Sequence, residues 1–517
     1  MTAEGGSLRP AAPPGVDVGG VHVRGVTLSS RDVRPGDLYA ALPGLRTHGA
    51  RFARDAVAAG AIAVLTDPSG EALAREAGVP VIVDEFARRR TAELATEAYG
   101  RPAEHLTMLA VTGTNGKTTT VAILAAALAS LGRRVGTVGT LGFALDGVPL
   151  PSSRTTVTTP EAPDLQALFA VLRERGADTV VMEASSHALA LGRVEPVVFD
   201  VAAFTNLGWD HRDFHPTQQD YFEAKALLFT PERTRSAVVS VDDDWGARLA
   251  ERVRAAGLPL VTTSLDGTRP ADVGAVWQPL DGGSSVRVST PGGAHDVMLS
   301  LPGEHNVRNL LTAVGTLLAA GLDVASAIPG FAEVTVPGRM ERVRLPDGAP
   351  TVYVDFAHTP QAVAAALASV NGTSAGARGP AARVPRTVVV LGCGGDRDTG
   401  KRATMGRVAV EGADVLVATD DNPRSEDPRT IRQAMLQGAH AARSSAPEGS
   451  RAAACDIIDG GDRRRAIITA LSLAGPGDVV AVLGKGHETG QEIGGEVLPF
   501  SDTDVVAEEY ERLRADG

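Results

Sequence analysis

Two rhythms of apolar residues alternate along this chain. Leu106–Thr112 is a short continuous apolar run that leads directly into a glycine-rich loop, and Lys117–Leu131 then has helical length and periodicity and stops at Gly132. Further β-type runs recur at Thr179–Glu183, Asp200–Thr205 and Ala237–Val241, with long helical patterns between them. This spacing predicts a parallel sheet covered by helices. Upstream, Val21 to Arg101 reads as a small α/β region with strands Ala61–Thr66 and Val81–Val83 and helices Ala53–Ala59 and Glu71–Ala77. Residues 275–301 change character, and Ser285–Ser289 and Asp296–Leu301 read as antiparallel strands. After a helix at Glu304–Ala320, Pro337-Gly338-Arg339 reads as a linker into a second α/β region. Its strands are Thr351–Asp355, Thr387–Gly392, Val415–Thr419 and Val479–Gly484, and Asn371–Val384 is expected to be a loose loop. Residues 1–17, polar and proline-rich, are expected to be disordered. The fold class is α/β in three domains. Residues 18–104 form a small N-terminal domain, 105–336 a central P-loop domain with a parallel sheet, and 337–511 a Rossmann-like C-terminal domain.

Composition narrows this picture. With 517 residues the chain is too long for one ordinary domain. A hydrophobic content of 43% and charged content of 22% suit a soluble protein, and with aromatics at 4% the core must rest on Ala, Val and Leu. A net charge of −12 argues against nucleic-acid binding but not against small anions held by a local cationic cluster. Cys393 and Cys455 make no disulfide framework or metal spacing. The N-terminus lacks the layout of a signal peptide, and Val121–Leu131 is too short to span a bilayer. A cytoplasmic monomer, without membrane or nucleic-acid partners, is expected.

Candidate chemistry starts at the loop Gly113-Thr114-Asn115-Gly116-Lys117-Thr118-Thr119. A glycine loop between strand and helix can cradle phosphate with backbone N–H groups, Lys117 can reach the terminal phosphates of ATP, and the Thr118 hydroxyl can hold Mg²⁺. Only Thr114 and Asn115 separate the glycines, and Val111 stands where the usual first glycine would be, so the strict P-loop pattern fails. The motif alone points to a nucleotide-dependent protein without deciding which.

The shortened loop resembles that of the Mur ligase family. Met182-Glu183-Ala184-Ser185-Ser186-His187, Asn206-Leu207, Asp210-His211-Arg212-Asp213-Phe214-His215 and the helix around Lys225 resemble further motifs of the same family, in the same order. So do Glu304-His305-Asn306-Val307-Arg308-Asn309, Pro337-Gly338-Arg339-Met340-Glu341 and Asp355-Phe356-Ala357-His358-Thr359-Pro360. Gly394-Gly395-Asp396-Arg397-Asp398, Asp421-Asn422-Pro423-Arg424 and Gly484-Lys485-Gly486-His487-Glu488 complete the series, which covers about residues 25 to 505. The resemblance is to the branch that extends UDP-N-acetylmuramoyl-L-alanyl-D-glutamate, a dipeptide nucleotide, in peptidoglycan precursor synthesis. It implies activation of the D-Glu γ-carboxylate as an acyl phosphate, followed by attack of an amino acid's amine.

Roles follow from that resemblance. Lys117, Lys225, His211 and Arg339 would be catalytic, with Asn306 and Asp355 placing the nucleotide. Thr118, Glu183, His211 and Lys225 would surround Mg²⁺, Lys225 as a carbamate. Leu28 and Ser30 would contact uridine, and Thr158, Thr159, Ser185 and Arg193 the muramoyl peptide. Arg397, Asp421, Asn422, Pro423, Arg424, Gly484 and Glu488 would bind the amino acid. Arg424 suits diaminopimelate, because a guanidinium grips that substrate's second carboxylate bidentately. Read without the family, Lys225 is an ordinary surface lysine, His211 and His215 are polar loop residues, Glu183 and Asp355 are structural, and Arg424 makes a solvated salt bridge. Leu191 and Val157 depart from the family pattern, which keeps open a relative that joins lysine or another amino acid, or acts in secondary metabolism.

Overall fold

The computed structural model describes residues 8–44, 47–151, 158–208, 210–211, 214–376, 385–396 and 398–516. Three sheets organise them. The first is four-stranded and wholly parallel, with Gly25–Thr27, Asp37–Ala41, Ala63–Thr66 and Val81–Val83 side by side in chain order.

The second sheet has eight strands, in the order Val148–Pro149, Gly142–Leu145, Val135–Gly139, Thr179–Glu183, Thr107–Thr112, Val201–Phe204, Ala237–Ser240 and Leu260–Thr263. The last six run parallel, and the first two fold back as an antiparallel edge. The chain builds one side of Thr107–Thr112 before crossing to the other. The carboxyl ends of its neighbours Thr179–Glu183 and Val201–Phe204 therefore open onto a topological switch point, where such sheets bind ligands. The helix Lys117–Ser130 is apolar nearly all round because both its faces are covered. It packs on this sheet and on the helices Glu304–Ala319 and Val324–Phe331. An antiparallel sheet of Gly274–Leu280, Gly283–Thr290 and Gly293–Leu299 adds its buried valines to the same core.

The third sheet has six strands, ordered Glu341–Val343, Thr351–Asp355, Val479–Leu483, Thr387–Cys393, Val415–Asp420 and Asp456–Gly461, all parallel except the first. The three-domain α/β fold expected from the sequence is present. Two expectations are corrected. Within the segment expected to be disordered, residues 8–17 are packed: the Arg9 guanidinium lies 2.6 Å from the Asp37 carboxylate, with the two side chains 8% and 3% exposed, and Val16–Val18 pairs with Val21–Val23. A buried ion pair and a strand pairing, both with residues outside it, anchor a segment whose composition carries no such signal. Residues 371–376, expected to be loop, end the helix Pro360–Gly376. Asn371 fastens that turn, donating to the Gly412 carbonyl at 2.9 Å and accepting from the Thr387 hydroxyl at 2.8 Å. The remainder of that loop, 377–384, lies outside the described residues.

The last helix, Asp502–Asp516, packs Val505 and Val506 into the core and carries one fully buried ion pair. Arg463 donates through Nε and Nη2 to the two Asp502 oxygens, each at 2.7 Å, and both side chains are 0% exposed. Removing one member of such a pair strands a buried charge. Asp502→Ala should therefore lower unfolding free energy by about 3–5 kcal/mol in a urea titration. A loss under about 1 kcal/mol would mean that water reaches Arg463.

Candidate active site

The phosphate loop leaves the central strand at Gly113 and enters the helix at Lys117. Its glycines are dictated by sterics. Gly113 has φ 147°, and a Cβ there would stand 1.9 Å from the Thr205 hydroxyl. Gly116 has φ 87°, and a Cβ there would stand 2.1 Å from Asn309 Oδ1. Between them Asn115 is pinned by Asn206, whose Oδ1 accepts from Asn115 N at 3.1 Å and whose Nδ2 donates to Asn115 O at 3.1 Å. Thr205 Oγ1 also donates to that carbonyl at 2.6 Å. Thr114 Oγ1 accepts from Gly208 N at 2.8 Å and donates to the Tyr221 hydroxyl at 3.3 Å. Thr118 and Thr119 begin the helix, both buried.

Two lysines converge on this loop. Lys117 Nζ donates to the carbonyls of Gly113 at 3.0 Å and Thr114 at 2.9 Å. Lys225, 1% exposed, reaches the same Gly113 carbonyl at 2.8 Å from the helix Gln218–Ala226, with its ammonium 4.5 Å from the Tyr221 ring. Burial pushes the Lys225 amine well below its ordinary pKa, and the charge of Lys117 pushes the same way against Asp210. Lys117 is lowered by burial too, with Glu183 and Asp210 opposing. From the C-terminal domain Arg339 Nη2 reaches the Thr118 hydroxyl at 3.3 Å, its guanidinium stacked 4.5 Å from the Phe356 ring centre. Asp355 accepts from Met340 N at 2.6 Å and Ala357 N at 2.7 Å, which fixes the turn that carries Arg339, although burial raises its carboxyl pKa. Asn306, 2% exposed, donates to the Pro302 carbonyl at 2.8 Å and accepts from Asn309 at 3.2 Å.

Glu183 ends its strand 1% exposed, held by Thr140 through N at 2.8 Å and Oγ1 at 3.1 Å. His211 sits at φ 55° beside Asp210 and His187. Burial, reinforced by the charges of His187, Lys117 and Lys225 and opposed by Asp210, lowers its pKa to about 4. Among the described residues no group of three His, Cys, Asp or Glu could hold a metal by itself. One carboxylate and one hydroxyl make a sparse donor set, which suits Mg²⁺ arriving on nucleotide phosphates with its own waters.

A second cluster lies at the carboxyl end of the C-terminal sheet. Asn422 Nδ2 donates to Glu488 Oε2 at 2.8 Å. Arg424, at φ 54°, donates to the Gly395 carbonyl at 2.6 Å and pairs with Glu492 at 3.2 Å. Gly484, at φ 117°, passes so close to Asp421 that a Cβ would lie 2.7 Å from its Oδ2. Pro423 turns the chain between Asn422 and Arg424, its carbonyl accepting from Glu426 N at 3.1 Å. Around Glu183, Thr159 Oγ1 donates to the Glu183 carbonyl at 2.8 Å and accepts from Ser185 N at 3.1 Å. Arg193 donates to the Thr159 carbonyl at 3.3 Å, and Thr158 and Thr140 share a hydroxyl contact at 3.3 Å. Leu28 and Ser30 lie half-buried in the first domain, just after Gly25–Thr27. Arg397, Val157, Arg212 and Asp213 lie outside the described residues.

Two contributors escaped the reading of the sequence. Thr140 orients Glu183 from another strand end, and nothing local marks it. Tyr221 lies one helical turn before Lys225, a spacing that puts both on one face and could have drawn attention to it.

Comparison with known proteins places the whole chain in one family. Residues 22–99 match the Mur ligase family catalytic domain, 111–317 the Mur ligase middle domain and 338–486 the Mur ligase glutamate ligase domain. The UDP-N-acetylmuramoyl-L-alanyl-D-glutamate–2,6-diaminopimelate ligase of Streptomyces coelicolor is 46% identical over 506 residues, spanning 96% of this chain and 94% of that one. A solved structure of a ligase of the same name superposes with TM-score 0.66 at 31% identity, covering 95% of this chain and 96% of the other. Folylpolyglutamate synthase of Mycobacterium tuberculosis shares the fold at TM-score 0.60 and 21% identity, over 82% of this chain and 95% of its own.

Burial also makes the histidines a source of acid sensitivity. His211, His305 and His487 all have pKa values lowered to about 4, chiefly by burial, from an ordinary 6.5. The unfolded chain therefore binds more protons below pH 6.5. Their contribution to stability is fully present above 6.5 and lost as pH falls toward 4. Denaturation midpoints should fall steadily over that window, and none of the three rings should titrate by NMR between pH 6 and 8. A ring titrating near 6.5 would mean that its site is wet.

Proposed function

The chain belongs to the Mur ligase family, and on that premise we propose that it joins 2,6-diaminopimelate to the D-glutamyl γ-carboxylate of UDP-N-acetylmuramoyl-L-alanyl-D-glutamate, driven by ATP. The observation that carries this reading is the pairing of two clusters. One concentrates Lys117, Lys225 and Arg339 around a phosphate loop, and the other gathers at the strand ends of the C-terminal sheet a guanidinium, Arg424, paired with Glu492, and the Asn422–Glu488 pair. The distal end of diaminopimelate carries one carboxylate and one ammonium, which complements that second cluster. Lysine has only the ammonium and offers Arg424 no carboxylate.

In this reading residues 18–104 hold the uridine end at Leu28 and Ser30. Residues 105–336 hold ATP and, through Thr158, Thr159, Ser185 and Arg193, the muramoyl peptide. Residues 337–511 hold the amino acid, with Arg397 joining Asp421, Asn422, Pro423, Arg424, Gly484 and Glu488. Lys117 and the N–H groups of the loop bind the ATP phosphates. The γ-carboxylate attacks the terminal phosphorus, ADP departs, and an acyl phosphate remains. The amine then attacks the acyl carbon, loses its proton, and phosphate leaves. Arg339, entering from the third domain, neutralises charge on the transferring phosphoryl group. Mg²⁺, held by Thr118 and Glu183 with His211 beside it, would supply further charge neutralisation. Lys225 fits the carbamate expected of it. Its buried amine is biased toward the neutral form that attacks CO₂, and the resulting anion turns repulsion from Lys117 into attraction.

Phosphate release should require ATP, Mg²⁺, the dipeptide nucleotide and diaminopimelate together. Arg424→Ala should raise the KM for diaminopimelate by roughly 10–100-fold, the loss of one charge-assisted contact. Equal turnover with lysine would overturn the choice of amino acid. Lys225→Ala should lose most activity and regain part of it with added short carboxylates, and full activity without them would remove Lys225 from the chemistry.

A further inference from the structure

One buried cation near the amino-acid cluster has no role in the account above. Lys485 follows Gly484 at the end of the strand Val479–Leu483, and its side chain is 0% exposed. Its ammonium makes three bonds, to Glu488 Oε2 at 2.8 Å, Asn422 Oδ1 at 3.1 Å and the Gly490 carbonyl at 2.6 Å. An ammonium has three protons, so its donor capacity is filled inside the protein.

The contrast with the other fully buried cation of this domain is informative. Arg463 is neutralised by Asp502, itself 0% exposed. Lys485 is neutralised instead by Glu488, which is 33% exposed and faces the amino-acid cluster. Lys485 also settles how the Asn422 amide lies. Asn422 Oδ1 is occupied by Lys485 and by Glu492 N at 3.0 Å, so Nδ2 must turn to Glu488, where it donates at 2.8 Å. Burial alone would raise the Glu488 carboxyl pKa. The Lys485 charge and hydrogen bond, with the Asn422 amide, hold it below the ordinary range, so Glu488 stays anionic while half covered.

We propose that Lys485 is a positioning residue for the incoming amino acid, locking Asn422 and Glu488 into one rigid acceptor for its distal ammonium. It works through these two side chains and does not touch the substrate. The inference rests on the amino-acid site proposed above. Without the cation Asn422 Oδ1 keeps only the Glu492 N–H at 3.0 Å, and Glu488 loses its charge partner and keeps only the Asn422 amide, so both are held less firmly.

The test uses the full-length protein and begins with wild type on a panel of diaminopimelate isomers and lysine. Lys485→Met, close in size and uncharged, is then measured for three KM values. The KM for diaminopimelate should rise by roughly 30-fold, in the range for losing one charge-assisted arrangement, while those for ATP and the dipeptide nucleotide stay within about threefold. ADP–ATP isotope exchange without amino acid should persist, because acyl phosphate formation does not use this end. If Lys485→Met fails to fold, as judged by near-UV circular dichroism, Lys485→Arg is read in the same way, since it keeps the charge but cannot place three bonds in that space. An unchanged KM for diaminopimelate, or three KM values rising together, overturns the inference. A wild-type protein that turns over no amino acid overturns the ligase reading itself. A wild type active with diaminopimelate beside an indistinguishable Lys485 variant overturns only the role of Lys485.

Discussion

The structure turns on two buried lysines that share one carbonyl. Lys117 and Lys225 both donate to Gly113 O, at 3.0 and 2.8 Å, and among the described residues neither has a carboxylate within ion-pairing distance. Two ammonium charges so close, away from water, are unfavourable, and this biases Lys225 toward its neutral amine. That constraint explains much around it. The loop must place its carbonyl and its N–H groups together, which requires glycine at 113 and 116, and Thr205 and Asn206 must hold it in that shape. In the proposed reaction an arriving phosphate would supply the negative charge that Lys117 lacks, and a carbamate on Lys225 would remove the second positive charge.

A second constraint is that the proposed chemistry lies between domains. The phosphate loop belongs to the eight-stranded sheet, whereas Arg339, Asp355 and the amino-acid cluster belong to the six-stranded one. The contact of Arg339 with Thr118 and the contact of Ser369 with His305 at 3.3 Å join the two. Each sheet presents the carboxyl ends of its strands, so in the proposed reaction phosphate and amino acid would be held by rigid elements while their approach depends on how the domains meet.

Legibility in the sequence followed the range of the interaction. The strands Thr179–Glu183 and Thr351–Asp355 have the expected bounds, because a short apolar run ends abruptly at a carboxylate. Val135–Gly139 was not anticipated, since its glycines and threonine break the apolar run and its burial comes only from neighbouring strands. The phosphate loop was legible because its backbone geometry is written into glycines. Glu183 was legible through its motif, but Thr140, which orients it, was not, because that contact spans 43 positions and two strand ends. Arg9 escaped for the same reason, its partner Asp37 being 28 positions away.

In the proposed reaction a carboxylate oxygen of the acceptor attacks ATP within the phosphate loop. The direct measurement uses dipeptide nucleotide carrying ¹⁸O at both oxygens of the D-glutamyl γ-carboxylate, with ATP, Mg²⁺ and diaminopimelate, and mass analysis of the phosphate released. Transfer through an acyl phosphate predicts one ¹⁸O in each phosphate formed. Phosphate that carries none, at equal turnover, would contradict the mechanism and the reading of the site built on it.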